Sequence, residues 1–262
     1  DDPIPLSGPE LDNMRKLYAW LQKQGDFRLE KFRVGALNQI AMRRDPARYG
    51  DAFGIRNVCG NGRIALADGS SKDLYAGFQG QWLNENGMSL GMVMAYGPFR
   101  FFTGGDFSDK TPALQGRPQV EIEDELGPQV GPVEVCKINH HGHYAMPAEF
   151  VKAVRARVYV SCVWDQLHNV DPVMARLSDT GLYPGERLVC PGILPAERRA
   201  VDADKAWMAT VPAVSYEGGH IVLNVTDGGE RYSVSYLRAA DESMRIRAVF
   251  RFDTRRQVGI SD

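Results

Sequence analysis

The order of strands and helices between residues 88 and 181 predicts an α/β (α+β) fold with a mostly parallel sheet and a β-rich tail. Three observations carry this. First, "PVEVCKIN" (132–139) and "RVYVSCVW" (157–164) are short apolar runs rich in β-branched residues, the signature of buried strands. Second, each is followed by a stretch of helical periodicity, "PAEFVKAVRA" (147–156) and "DPVMARLSDTG" (171–181); strand–helix–strand order requires crossovers that lay helices on a parallel sheet. Third, "GHIVLNVTDGGERYSVSYLRAADESMRIRAVFRFD" (219–253) contains strands only, with a turn at Asp227-Gly228-Gly229.

The elements follow in order. "SGPELDNMRKLYAWLQKQG" (7–25) predicts a helix: Ser7 and Glu10 have capping-box spacing, Pro9 suits the first turn and Gly25 the end. Leu11, Met14, Leu17, Tyr18 and Leu21 share one face. A helical segment is expected around 36–43. "GIRNVCGNGRIALADG" (54–69) predicts a hairpin turning at Gly60-Asn61-Gly62. "MSLGMVMAYGPFRFFTGGD" (88–106) predicts two strands joined at Tyr96-Gly97-Pro98, and a short helical turn is expected near 121–126. Gly181 stops the last crossover helix, and 191–215 reads as a long connection. No linker divides the 262 residues, which read as a single domain.

Charge and composition exclude several classes. A formal net charge of −2 gives no bulk attraction for a polyanion. The arginines of "RIRAVFRFDTRR" (245–256) alternate with apolar residues, as on a solvated strand face. No run approaches the roughly 20 apolar residues of a membrane span, so no membrane partner is expected. The cysteines Cys59, Cys136, Cys162 and Cys190 form no CxxC pair and assign no compartment. Cys136 and Cys162 fall in apolar strand-like runs, where cysteine acts as a small hydrophobe.

Chemistry concentrates at the predicted carboxyl ends of strands, where open α/β sheets collect their sites. Asp106 follows Gly104-Gly105, so a short carboxylate emerges where the backbone is free to bend, although aspartate also caps turns. His140 and His141 follow the next strand, with Gly142 after them; three of the five histidines fall within four positions. Adjacent side chains diverge, so at most one of the two is expected to coordinate a given metal directly, the other orienting substrate or a neighbouring group. His168, in "WDQLHNVDP", follows the strand after that, and Asn86 precedes the first strand of the hairpin at the same edge. His220 opens a tail strand and reads as structural.

The segments "NENGMSLGMVMAYGPFRFFTGGDFS", "VEVCKINHHGHYAMPAEFVKAVRARVYVSCVW" and "LHNVDPVMARL", spanning about residues 84–180, resemble the later half of metallo-β-lactamase-fold hydrolases. The resemblance is to the branch that includes the hydrolase domain of competence-type DNA-uptake proteins and phosphorylcholine esterases. It rests on an "ENxxS" before a strand, a "GD" after the next and a "KxxHHG" further on. It implies a metallo-β-lactamase-like αββα sandwich with a metal site at one sheet edge. Asp106 would be the bridging aspartate, His140 or His141 the final metal-binding histidine, and Asn86 would stand where other branches carry a further histidine.

The family's principal motif, HxHxDH, is absent, and residues 1–139 contain no histidine. Residues 1–83 resemble a mid-fold insertion, 84–190 the core α/β unit and 191–262 a β-rich tail. The N-terminal half of the sandwich is thus expected to come from an upstream segment or a second chain, and one sheet face is expected to lie bare without it. The function implied is metal-dependent hydrolysis of an ester, phosphoester or amide-type bond. Two zinc ions, with manganese or iron as alternatives, would activate water as hydroxide; Asp106, His140 and His141 would bind metal, and His168 and Asn86 would assist a small-molecule substrate. Nucleic acid is disfavoured. The alternative is a non-catalytic scaffold on a degenerate fold.

Overall fold

The structure is a computed structural model that describes residues 9–25, 27–78, 85–107, 120–163, 167–241 and 243–255. Its centre is an eight-stranded mixed sheet. The strands are β1 (Phe53–Gly60), β2 (Arg63–Ala65), β3 (Ser71–Asp73), β4 (Gly91–Tyr96), β5 (Phe99–Gly104), β6 (Val135–Lys137), β7 (Val158–Ser161) and β8 (Leu188–Pro191), in the order β3-β2-β1-β4-β5-β6-β7-β8. Pairing is antiparallel from β3 to β5 and parallel from β5 to β8.

The change to parallel pairing occurs where crossovers begin. α3 (Ile122–Val130), α4 (Ala148–Val154) and α5 (Asp171–Ser178) each return the chain to a parallel strand. Alternation along each strand decides what it meets. Phe102, Cys136, Tyr159 and Val189 point to the helices and pack with Leu126, Phe150, Val154, Met174 and Leu177. Phe99, Val135, Val158 and Cys190 point the other way. Burial of each such side chain contributes about 1.5–3 kcal/mol.

The second face is not bare, which corrects the expectation from sequence. The tail folds into a three-stranded antiparallel sheet of β9 (His220–Thr226), β10 (Arg231–Leu237) and β11 (Ile246–Asp253), ordered β11-β10-β9. Tyr232, Val234 and Tyr236 of β10 are buried against Phe99, Val135, Val158 and Cys190. The period-2 pattern of the tail supplies an apolar face that matches the one the crossovers leave open. Polar pins accompany the docking: the Tyr236 hydroxyl donates to the Pro191 carbonyl at 3.0 Å, and the Tyr232 hydroxyl to Glu134 at 3.0 Å. Arg255 meets the same carboxylate at 2.9 Å.

Other departures are local. α1 (Pro9–Lys23) forms as predicted, and the Ser7 end of its capping box lies outside the described residues. Met14 and Leu17, expected on a buried face, are exposed. Residues 36–43 contain no helix; the helical turn there is α2 (Pro46–Tyr49). The segment Gly35–Asn57 is instead tied by backbone bonds, Gly35 N–H to the Asn57 carbonyl at 2.7 Å and Asn57 N–H to Ala36 at 3.0 Å. Residues 191–215 end β8 and carry α6 (Ala196–Val201) and 3-10 turns. Cys162 lies just past β7 and is exposed, unlike the buried Cys136. Residues 53–73 form β1, β2 and β3, which pair with β4 in the main sheet. Among the described residues no helix is long and apolar enough to cross a membrane.

Candidate metal centre at the sheet edge

The carboxyl ends of β5, β6 and β7 meet the start of β4 at one edge. β5 stops at Gly104, and the Gly105 N–H then donates to the Leu90 carbonyl at 3.0 Å. A Cβ on Gly105 would collide with Ser89, so glycine is required by close approach. The Ser89 hydroxyl in turn accepts the Asp106 N–H at 3.0 Å. These contacts fix the backbone of Asp106 and leave its carboxylate partly exposed.

Beyond β6 the chain makes a tight turn, and His140 (φ 44°), His141 (φ 53°) and Gly142 (φ 74°) are left-handed in succession. Non-glycine residues in this region cost about 1–2 kcal/mol each. Bonds to three neighbouring segments hold the turn. His140 N–H reaches the Gly105 carbonyl at 3.3 Å, while Asn169 and Val170 N–H groups reach the His141 and Gly142 carbonyls at 3.0 Å each. Beneath it the buried Glu123 accepts from Asn139 Nδ2 at 2.8 Å and from the Met146 N–H at 3.1 Å. Backbone strain that is so thoroughly braced is a mark of functional sites.

The two histidines have different surroundings. His141 Nδ1 lies 2.6 Å from the Cys162 carbonyl, which can only accept, so Nδ1 carries the proton. Nε2 is therefore free of that proton in the neutral ring, and it faces Asp106 Oδ2 at 3.6 Å. The ring stacks on His168, with centroids 4.7 Å apart and planes within 14°. His140 instead turns Nε2 toward Asn86 Nδ2 at 3.4 Å. Burial holds the His140 pKa below the ordinary imidazole value; the Asp106 carboxylate opposes that shift, and His143, His141 and His168 reinforce it.

The structure thus brings Asp106, His140, His141, His168 and Asn86 to one place. Their supports were not foreseen. The His143 ring lies 5.6 Å from that of His140. Arg198 of α6 donates to the carbonyls of His168 at 3.2 Å and Asn169 at 3.0 Å, and pairs with Asp202 at 2.6 Å. Lys137 Nζ lies 3.2 Å from the Ile138 carbonyl and 3.5 Å from that of Gly105, which brings a cation to the same edge. Lys137 and His143 are legible in "KINHHGH"; Glu123 and Arg198 come from distant segments with no local signal.

The Asp106 and His141 donors have the spacing of two ligands on one ion. Two ligands bound at about 2.0–2.1 Å with a tetrahedral angle stand about 3.4 Å apart. The 3.6 Å between Asp106 Oδ2 and His141 Nε2 matches this. A ligating histidine ordinarily donates its other nitrogen to a carbonyl or carboxylate, as His141 does to Cys162. The fit extends to two donors: among the described residues no group of three or more His, Cys, Asp or Glu side chains is arranged to hold a metal ion.

No family model matches the chain, and no curated protein sequence matches it.

Proposed function

We propose that this chain carries part of a metallo-β-lactamase-like active centre and acts as a metal-dependent hydrolase of an ester, phosphoester or amide-type bond. The observation that carries the reading is the Asp106–His141 pair, 3.6 Å apart with the imidazole tautomer set by Cys162. Zinc is the preferred ion for such a mixed N/O pair, with manganese or iron as alternatives. Further donors come from an added polypeptide, either an upstream segment or a second chain, since a catalytic zinc takes about three protein ligands.

When bound, the ion supplies Lewis acidity to a water and to the scissile carbonyl or phosphoryl group. The chain's own residues do the rest. Asp106 and His141 would hold the ion through Oδ2 and Nε2, which face each other at 3.6 Å. His140, kept neutral by burial, presents Nε2 beside the Asn86 amide and can ligate or accept a proton there. His168 stacks flat on His141, restrains its rotation and shields one side from water.

The test is cobalt(II) titration of the full chain, read by its visible d–d absorption, alongside hydrolysis of p-nitrophenyl acetate and bis(p-nitrophenyl) phosphate with the completing polypeptide added. Asp106→Ala and His141→Ala are each expected to lower cobalt affinity at least tenfold. Unchanged affinity in the double variant removes the metal site. Metal binding without hydrolysis in the completed assembly leaves a scaffold instead of an enzyme.

A further inference from the structure

Two strands from Asp106, along the same edge of the sheet, lies a cavity of about 520 Å³ that none of the roles above uses. Among the described residues its walls carry Lys31, Arg33 and Arg63 against the single carboxylate of Asp73, a surplus of two positive charges. Asp73 is 3.6 Å from Arg63. Among the described residues, neither Lys31 nor Arg33 is within ion-pair distance of a carboxylate.

These cations stand on a fixed backbone although they lie in an irregular segment. Asn57 of β1, wholly buried, donates through Nδ2 to the Arg33 carbonyl at 3.0 Å and to Gln39 Oε1 at 2.9 Å. Gln39 completes the brace by accepting the Arg33 N–H at 2.8 Å and donating to the Lys31 carbonyl at 2.7 Å. Phe32, between the two cations, packs over Gly60, where a Cβ would collide with its ring. A buried amide and a glycine thus fix the backbone on which two positive side chains line one hollow.

The backbone links the wall of the cavity to the candidate metal centre. Leu90 lines it, and the Leu90 carbonyl receives the Gly105 N–H next to Asp106. β1 is separated from β5 only by β4, a distance of about 10 Å at the usual strand spacing.

We infer that this cavity binds the phosphate group of a small phosphorylated substrate and presents a bond about 10 Å away to Asp106 and His141. The inference rests on the hydrolase reading for the second half of that statement, and the first half stands by itself. A surplus of two positive charges matches the charge of about −1.5 to −2 on a phosphate monoester near neutral pH, whereas one arginine satisfies a carboxylate. The volume falls within the range of about 300–1,000 Å³ typical of small-ligand pockets. A net charge of −2 also favours a small molecule over a nucleic-acid strand, which needs a continuous basic track.

The experiment is calorimetric titration of the full chain with inorganic phosphate at low salt, in the absence of metal. Binding in the millimolar range is expected, weakened as salt rises. Lys31→Ala with Arg33→Ala is expected to raise the dissociation constant at least tenfold; both side chains are exposed, and an unchanged melting transition verifies the fold. Asp106→Ala is expected to leave it within twofold. Unaltered binding in the Lys31/Arg33 variant overturns the inference. Loss in the Asp106 variant alone also overturns it, and moves the anion to the metal centre without touching the hydrolase reading. A 12-mer single-stranded DNA that binds more than a hundredfold tighter than phosphate through the same residues replaces the small substrate with a nucleic acid. Loss of all hydrolysis with phosphate binding intact would strike the hydrolase reading only.

Discussion

Removing one hydroxyl tests how the small sheet is held on the large one. The Tyr232 side chain is 2% exposed, and its hydroxyl donates to Glu134 Oε2 at 3.0 Å. The Glu134 side chain is 4% exposed, so no bulk water stands ready to replace the donor. Burial, together with the neighbouring carboxylate, pushes the Tyr232 phenol far up, and it remains a donor at any pH at which the chain is handled. In Tyr232→Phe the ring packing stays and the bond alone is lost. A hydrogen bond to a charged group contributes about 1.5–3 kcal/mol; the remaining partner, Arg255 at 2.9 Å, is itself 40% exposed and compensates little. With a urea slope of about 3 kcal/mol/M, the midpoint should fall by about 0.5–1 M at unchanged slope. The cycle with Glu134→Gln assigns the effect: in that background Tyr232→Phe should cost less than half as much. A midpoint shift below about 0.2 M in the single variant, against the 1.5 kcal/mol floor, refutes the reasoning. So does an equal shift in both backgrounds.

Ellman's reagent should titrate one thiol quickly in the folded chain, the exposed Cys162, and all four after denaturation. Burial pushes the Cys59 and Cys190 thiols up to about 12 and that of Cys136 further up, so a second fast thiol contradicts the packing. Gly97→Ala should destabilise the chain by about 2–4 kcal/mol, measured by thermal melting, because φ is 52° there and the new Cβ would strike the Gly228 carbonyl in the β9–β10 turn. Asn57→Ala should lose about 1–3 kcal/mol, from two part-buried hydrogen bonds to the Arg33 carbonyl and Gln39 Oε1 at about 0.5–1.5 kcal/mol each. The same variant should weaken phosphate binding about tenfold, since it releases the segment that aims Lys31 and Arg33.

Local pattern made much of this architecture readable. β4, β5, β6 and β7 lie within the segments read as strands, each a short, largely apolar run, and α4 and α5 lie within those read as helices from their periodicity. β8, "LVCP", was invisible: four residues inside a polar loop carry no periodicity. The place of the tail was equally hidden, since nothing within Tyr232, Val234 and Tyr236 names Phe99 or Val158 as their partners. At the site, strand ends foretold that Asp106, His140 and His141 would meet. They could not foretell which imidazole faces the carboxylate, because that is decided by the Cys162 carbonyl, 21 residues away. Asn57 reads as an ordinary strand residue until its amide is seen spanning Arg33 and Gln39.

The left-handed run at 140–142 has a consequence for the economy of the fold. A link whose sole task was to join β6 to α4 would place glycine or asparagine at such dihedral angles. Here imidazoles occupy the first two positions, at φ 44° and 53°. His140→Gly should therefore relieve the backbone and raise the melting temperature or leave it level, while erasing the group that faces Asn86. At this corner the molecule gives up robustness to hold an imidazole beside the Asn86 amide.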